Sequence, residues 1–479
     1  MLKMTCIPRR AVLQRIAATA ICSPAVVRSH RAAAALPPLP NLPASDALLL
    51  RPGDAQFAQY EPAFNARTML TPQLRAICKP PNAVGVMVDW CRSNNMPFAV
   101  RCGGHSYEGF SQSASVVIDL RLMNSIAIDV ATKTATVGAG ASLGQLYQAI
   151  APRGFAFPGG SCPTVGVSGH LLGGGYGYLA RPFGLACDNV LSVDLVDPQG
   201  KQVHVDAQQN ADLFWACRGG GGGTFGVATG YQLHLIPLTN VLIFNIRSAP
   251  LSFARAAAIM KAWQAWAPQA PRTIDSNLVI TRHSNGLIDM RCAGQSVGTS
   301  QELQRELKFL SSAPPVPMTY WKAVNYFAGS GGWTYTSAPM KGKSDYATFP
   351  LSDAGLSTLM SEINRRGSVY VICDSYGGSI ARVAPDATAF AHRSALYCIQ
   401  YGSSWQSPSD TPQRLSDMRA LYAAMRPYVS RACYVNYCDL DLTDWQDAYW
   451  GANLDRLKQI KSAFDPNNVL THAQSVQPG

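Results

Sequence analysis

Glycine clusters in this chain where a histidine and a cysteine stand. His105 follows Gly103 and Gly104 in RCGGHSYEGFS (101–111), and Cys162 lies in GGSCPTVGVSGHLLGGGYG (159–177), ahead of Gly173, Gly174 and Gly175. A third string, RGGGGGTFGVAT (218–229), holds five consecutive glycines, Gly219 to Gly223. Only a residue without Cβ lets main-chain N–H groups come within hydrogen-bonding range of a pyrophosphate or of a flat ring edge. No ordinary packed core asks for that density. The fold must therefore bring bare backbone loops up to one large flat group, with an imidazole and a thiol in reach of it, and that pattern suits a covalently held flavin.

Each residue taken singly has a plainer reading. A histidine after two glycines is commonly a turn residue, and an unpaired cysteine is commonly a small buried hydrophobe. It is the strings in order that carry the inference. GGGYG also suggests a dinucleotide fingerprint, but no strand runs straight into a helix there with an acid about twenty residues on, so a Rossmann reading is rejected.

At 479 residues the chain exceeds the size at which one core stops growing, and two or three domains are expected. A helix is read over 83–94, followed by a strand over 97–100 that runs into the first glycine loop. Strand-type runs follow at 116–120, 126–130 and 134–137, and Ser142 opens a helix whose Gln145 completes a capping box. Beyond a β-rich run at 231–238, two runs at 277–282 and 287–292 flank Asn285-Gly286, a hairpin signal because both residues tolerate positive φ. Thr299 with Glu302 caps a further helix. Runs at 368–373 and 396–401 predict an antiparallel sheet with helices on one face. Alternation puts Tyr370, Ile372 and Asp374 on one side of the first of these, and Cys398 with Gln400 on one side of the second. An aspartate ending an apolar strand is costly to bury unless partnered, which marks Asp374 as a site candidate against the plainer reading of a solvated strand end. If YVNYCD (434–439) is extended, Tyr434 and Tyr437 lie on opposite faces and only one of them faces the site.

Together these strings resemble the FAD-linked oxidases of the vanillyl-alcohol oxidase superfamily, specifically the berberine bridge enzyme-like branch. YVNYCDLDL (434–442) and YWGANLDRLKQIKSAFDPNNVLTHAQS (449–475) resemble the branch's closing segment. The resemblance implies an α+β fold: a two-part FAD-binding domain over 36–240, a substrate domain over 241–430 with an antiparallel sheet backed by helices, and a segment 431–479 returning to the FAD domain. It implies FAD attached through both His105 and Cys162. Arg101, Gly103, Gly104, Ser106, Tyr107, Val165, Gly166, Ser168, Gly169, His170, Gly174, Gly175, Gly226, Val227 and Asn436 would surround it.

By the same resemblance Tyr437 matches the catalytic base, and Asp374 matches an aspartate that partners this tyrosine in the branch's carbohydrate oxidases. Gln400 stands where alkaloid-cyclising members have a glutamate base; an amide cannot accept a proton at neutral pH, which speaks against that chemistry. Gln400 and Tyr176 would position the substrate. The residue three past the cysteine influences oxygen access in the branch, and Val165 is small, as in its oxidases. The expected activity is oxidation of an alcohol or hemiacetal carbon of a carbohydrate, a reducing-end sugar to its lactone, with molecular oxygen reduced to hydrogen peroxide. Two alternatives stand beside it: a tailoring oxidase or dehydrogenase acting on a natural-product alcohol, and a redox-silent binding protein. Tyr326, Phe327, Trp333, Tyr335 and Trp405 are candidates to stack on sugar rings, with core packing as their plainer reading.

The net charge of +11 invites a nucleic-acid reading, but Lys3, Arg9, Arg10, Arg15, Arg28 and Arg31 fall in the first 34 residues, which hold no acid, and the rest of the chain carries +5. Without a basic run interleaved with aromatics, no nucleic-acid partner is expected. Residues 1–35 resemble an export leader of the twin-arginine kind: Arg9-Arg10, an apolar middle broken by Pro24 and too short to span a bilayer, and small residues at Ala32 to Ala35. An ordinary secretory signal is the alternative, and no membrane association is expected once the leader is removed. Of thirteen cysteines, two lie in the leader and Cys162 is assigned to flavin, leaving ten, an even number that permits disulfides without showing any. No CxxC or HExxH spacing occurs, so no metal site is expected.

Overall fold

A computed structural model describes residues 36–311, 315–330 and 337–479. The leader, Trp333 and Tyr335 lie outside the described residues.

The first sheet comprises β1 (Ala47–Leu50), β2 (Leu74–Cys78), β3 (Phe98–Arg101) and β4 (Val116–Asp119), in the order β1-β2-β4-β3. β4 pairs parallel with both β2 and β3, and the helix Pro81–Ser93 connects those two. Every residue of β2 and β4 is buried, as parallel strands covered on both faces require. The helix starts two residues ahead of position 83 because proline is tolerated in a first turn, where its missing N–H has no intrahelical partner anyway.

The second sheet is antiparallel. It holds β5 (Ile126–Asp129), β6 (Thr134–Gly138) and, after the short β7 (Phe155–Ala156), β8 (Val190–Val196), β9 (Gln202–Asp206) and β10 (Val227–His234), ordered β5-β6-β10-β8-β9. β11 (Ile236–Pro237) pairs with β7. Ser142 caps the helix Leu143–Ile150 through the expected box, its Oγ accepting from Gln145 N while Gln145 Oε1 accepts from Ser142 N.

The third sheet has seven strands: β12 (Asn240–Arg247), β13 (Ile274–Arg282), β14 (Ile288–Ser296), β15 (Val316–Thr319), β16 (Met340–Ala347), β17 (Val369–Ser375) and β18 (Tyr397–Ser404), ordered β15-β12-β14-β13-β17-β18-β16 and antiparallel at every pairing. The β13–β14 hairpin closes with Gly286 N donating to His283 O at 3.0 Å and His283 N to Leu287 O at 2.8 Å. Only Gly286 of the Asn-Gly pair takes a positive φ, +85°. Helices Phe253–Trp266, Asp353–Arg366 and Thr411–Met425 supply Trp263, Leu359 and Leu421 to a core with Leu278, Ile280, Val371, Cys373 and Ile399 of the sheet. The opposite sheet face carries Asn277, Val279, Thr281, Arg291, Tyr370, Ile372, Asp374 and Gln400, which line a cavity. Strand alternation thus puts Tyr370, Ile372 and Asp374 on one face as read from the sequence. Cys398 shares parity with Gln400 but packs with Tyr346 and Tyr376 away from the cavity wall.

All eleven described cysteines are free and nine of them are buried. Among the described residues no group of His, Cys, Asp and Glu could hold a metal ion, and no helix is long and apolar enough to cross a membrane.

Candidate active site

The loops bearing His105 and Cys162 meet backbone to backbone. A Cβ on Gly103 would stand 2.3 Å from Gly166 N, and one on Gly166 would stand 2.2 Å from Cys102 Sγ, so any side chain at either position drives the loops apart. Across this contact His105 Nε2 lies 2.9 Å from Thr164 Oγ1, and Phe64 stacks on the imidazole at 4.5 Å. Burial, aided by the charge of Arg101, pushes His105 down to about 4, which leaves the ring neutral with a free electron pair at neutral pH. Burial pushes the Cys162 thiol up to about 11, so bond formation there requires its deprotonation.

Both residues lie on a cavity of about 600 Å³, within the range of ligand sites. On its wall the glycines have another reason to be bare. A Cβ on Gly169 would meet nothing within 4 Å, on Gly222 nothing nearer than 3.9 Å, and on Gly223 nothing nearer than 3.6 Å. Neighbouring side chains do not exclude a Cβ at Gly169 or Gly222, and Gly223 has in addition a positive φ of +77°; a ligand lying against the main chain would require all three to be bare. Thr224 Oγ1 and Trp450 Nε1, on the same wall, are buried without a hydrogen-bond partner among the described residues. Bare backbone, unsatisfied polar atoms, a neutral imidazole and a thiol on one cavity fit FAD.

The catalytic candidates converge on this cavity. Val435–Tyr437 is a 3-10 turn, in which side chains three apart stack on one side, so Tyr434 and Tyr437 face the same way with ring centroids 4.9 Å apart. The opposite-face arrangement belongs to an extended run, which this segment is not. Tyr434 Oη accepts from Gly175 N at 2.9 Å and from Asn436 Nδ2 at 3.0 Å. Tyr437 stacks on Tyr107 at 5.4 Å with planes 4° apart, and Gln400 Nε2 donates to Tyr107 Oη at 2.6 Å.

Asp374, 6% exposed, is pushed up to about 8 by burial, with the nearby charge of Asp275 adding to it. Tyr437 is held well above the usual tyrosine range by burial first and Asp374 second. No hydrogen bond joins the two among the described residues. Tyr176 Oη donates to Asp275 Oδ1 at 2.6 Å, and Asp275 also accepts from Arg181 N at 3.2 Å.

Among the cofactor candidates, Arg101, Gly174 and Gly175 do not line the cavity. Arg101 lies beneath the His105 loop, donating to Glu61 O and Pro62 O, with Gly104 seated so closely that a Cβ would come 2.8 Å from Nη2. A Cβ on Gly174 would strike the Phe390 ring at 2.7 Å, and one on Gly175 would strike Ala186 at the same distance; these glycines let the wall pack from behind. The other candidates, Ser106, Val165, Ser168, His170, Gly226, Val227 and Asn436 among them, are on the wall. Phe327 is there too, stacked on Tyr178 at 4.2 Å, whereas Trp405 is buried elsewhere with its Nε1 bonded to Thr411 Oγ1.

Sequence reasoning missed Thr224, Trp450, Asn277, Arg291, Asp275 and His472. His472 Nε2 lies 3.1 Å from Gly222 O and its ring stacks on Phe110. For Asn277 and Arg291 the signal existed in the hairpin register, which puts them on the face shared with Asp374 once the strands are paired.

A buried ionic cluster fixes the two tyrosine-bearing segments. Lys341 Nζ bonds Glu108, next to Tyr107, and Asp439 Oδ1 at 2.6 Å, two residues past Tyr437. Lys343 Nζ bonds Asp439 Oδ2 at 2.6 Å and Asp441 Oδ2 at 2.9 Å.

Comparison with known proteins bears on this geometry. Residues 72–206 match the family described as FAD binding domain, and residues 433–477 match the family described as berberine and berberine like. The chain is 33% identical to berberine bridge enzyme-like D-1 of Nicotiana tabacum, over 81% of this chain and 80% of that one. It is 32% identical to monolignol oxidoreductase AtBBE-like 13 of Arabidopsis thaliana, over 79% and 78%. Among solved structures, Physcomitrella patens BBE-like 1 superposes with a TM-score of 0.83 at 30% identity, covering 90% of this chain and 97% of that one. Berberine bridge enzyme from Eschscholzia californica gives 0.85 at 26%, covering 91% and 97%. The chain belongs to the berberine bridge enzyme-like FAD-linked oxidoreductases of the vanillyl-alcohol oxidase superfamily.

Proposed function

We propose that this oxidoreductase is an exported oxidase, carried by a leader at 1–35, that holds FAD through both His105 and Cys162 and converts the reducing-end carbon of a carbohydrate to a lactone. The division into an FAD-binding domain (36–240), a substrate domain (241–430) and a returning segment (431–479) belongs to the same proposal. Asp374 is the observation that carries the reading: a buried carboxyl facing the cavity that Tyr437 also faces. Oxidation removes a hydride from the substrate carbon and a proton from its hydroxyl, and the two electrons and two protons leave as hydrogen peroxide with molecular oxygen as acceptor. FAD, when bound, supplies the two-electron oxidation.

The chain's own residues handle the proton. A phenolate beside a carboxylate is disfavoured, so Tyr437 takes the hydroxyl proton only as its own passes on to Asp374 through one intervening water. Gln400 holds the hydroxyl of Tyr107, and through it the ring under Tyr437. Tyr176, tied to Asp275, orients the substrate.

A second reading, oxidation of an aromatic natural-product alcohol, is favoured by the tyrosine-rich wall and by similarity to the monolignol oxidoreductase. A peroxide-coupled screen of lactose, cellobiose, xylobiose, glucose and a cinnamyl-type alcohol separates the two; turnover of the aromatic alcohol alone sinks the carbohydrate reading.

Two further results are expected. His105→Ala and Cys162→Ala each retain one flavin bond, seen as a flavin-bearing tryptic peptide from the untouched loop; loss of all covalent flavin in either single variant contradicts independent attachment. The second concerns pH. Because Asp374 accepts a proton only when ionised, the rate rises with pH through about 8, and Asp374→Asn abolishes that rise. Stability runs the other way. The folded-state value lies above the ordinary carboxyl value of 3.8, so the contribution is complete below that value and is lost as the pH climbs towards about 8. Urea midpoints measured at both ends of this window fall with pH in the wild type and fall less steeply in Asp374→Asn, where Asp275 and Asp345, pushed up by burial to about 6 and about 7, still titrate; an unchanged slope in the variant rejects the assignment.

A further inference from the structure

Among the described residues, Arg291 is the basic side chain on the sheet face that looks into the cavity. Arg291 on β14 stands opposite Val279 of β13, and Asp374 on β17 stands opposite Asn277, two residues away along the same strand. With strands about 4.8 Å apart and about 3.4 Å per residue, the two Cα atoms lie roughly 12 Å from each other across β13. Asn245 Oδ1 accepts from Arg291 Nε at 2.9 Å, and Asn245 Nδ2 donates to Tyr326 Oη at 2.6 Å, a chain that fixes the guanidinium on the wall. Between the two charges, Asn277 Nδ2 donates to Tyr178 Oη at 2.6 Å, while Asn277 Oδ1 is buried without a partner among the described residues. The Tyr178 hydroxyl is held up by burial first and by Asp374 second, and Arg291 draws it down. Asp374 keeps its proton below about 8, so the charge offered to a ligand at neutral pH is positive.

We propose that the substrate is an anion: its carboxylate pairs with Arg291, a hydroxyl donates to Asn277 Oδ1, and the carbon to be oxidised lies at the Asp374 and Tyr437 end. A guanidinium binds a carboxylate through paired, charge-assisted hydrogen bonds, which a neutral sugar cannot match. The inference rests on the carbohydrate reading for the skeleton, a uronic-acid-containing sugar, and is independent of that reading for the charge.

The test titrates the flavin-loaded protein and reads binding from perturbation of flavin absorbance, which requires no turnover. Two pairs are compared: cellobiose with its 6-carboxylate, and benzyl alcohol with 4-(hydroxymethyl)benzoate. The acid of at least one pair is expected to bind about tenfold or more tightly than its neutral partner, an advantage that shrinks with added salt. Arg291→Gln brings the ratio close to one, while Arg291→Lys, which keeps the charge, retains part of the advantage and shows that the loss is not a folding defect. Equal affinities in both pairs, absence of binding by either acid, or an advantage that survives Arg291→Gln overturns the proposal. An advantage confined to the aromatic pair upholds the anion site and removes the sugar skeleton; turnover of cellobiose with no preference for the acid does the reverse.

Discussion

Replacing Tyr437 with phenylalanine lowers turnover by about two to four orders of magnitude while the flavin stays bound. The ring keeps its stack on Tyr107, 5.4 Å away with planes 4° apart, so packing in the cavity is preserved. What disappears is the hydroxyl through which, in the proposed mechanism, a substrate proton would pass to Asp374. The measurement is the rate of flavin bleaching in a single turnover, alongside the visible spectrum of the resting protein. A steady-state rate within a few-fold of wild type removes Tyr437 from the proton path. Loss of flavin from the variant makes it a cofactor-binding residue instead.

Replacing Lys341 with methionine destabilises the fold by about 3–5 kcal/mol, the cost of leaving buried carboxylates without their cation. Lys341 is 3% exposed and touches Glu108 and Asp439, whose side chains are 1% and 4% exposed. Arg67 still reaches Glu108 at 2.7 Å and Lys343 still reaches Asp439, which places the effect at the lower end of that range. The control is Lys261→Met, which breaks an ion pair with Asp353 on the open surface, 61% and 78% exposed, at a cost below about 1 kcal/mol. Denaturant midpoints decide between them; equal shifts contradict the burial argument. Because the cluster anchors the segments bearing Tyr107 and Tyr437, the methionine variant is also expected to lose activity in native buffer.

The glycine strings made the cofactor loops legible because chemistry had imposed an unusual composition there, and the family resemblance extended that to the individual residues. Alternation along β17 was equally legible: a period of two is local, so Asp374 could be assigned to the face of Tyr370 without knowing its neighbours. The Asn285-Gly286 hairpin sets Arg291 opposite Val279, but that it shares a face with Asp374 depends on β13 pairing with β17, far along the chain, and Asp275 gains its meaning only from the distant Tyr176 and Arg181. The same letter also concealed different causes. Gly103 and Gly166 are bare so that loops can cross, Gly174 so that Phe390 can pack, and Gly169 because a cradle needs an open floor. The tyrosines at 434 and 437 misled for a geometric reason: their spacing of three separates side chains in a strand and unites them in a 3-10 turn.

The free cysteines carry a consequence for maturation. A chain meeting an oxidising compartment while unfolded would expose every one of its thiols to scrambling, and no native bridge among the described residues would reward correct pairing. Once closed, the fold seals nine of the eleven away from oxidants, and flavin attachment at Cys162 would consume a tenth. Acquiring the cofactor and the final shape in a reducing environment is therefore the order of events that wastes the least protein.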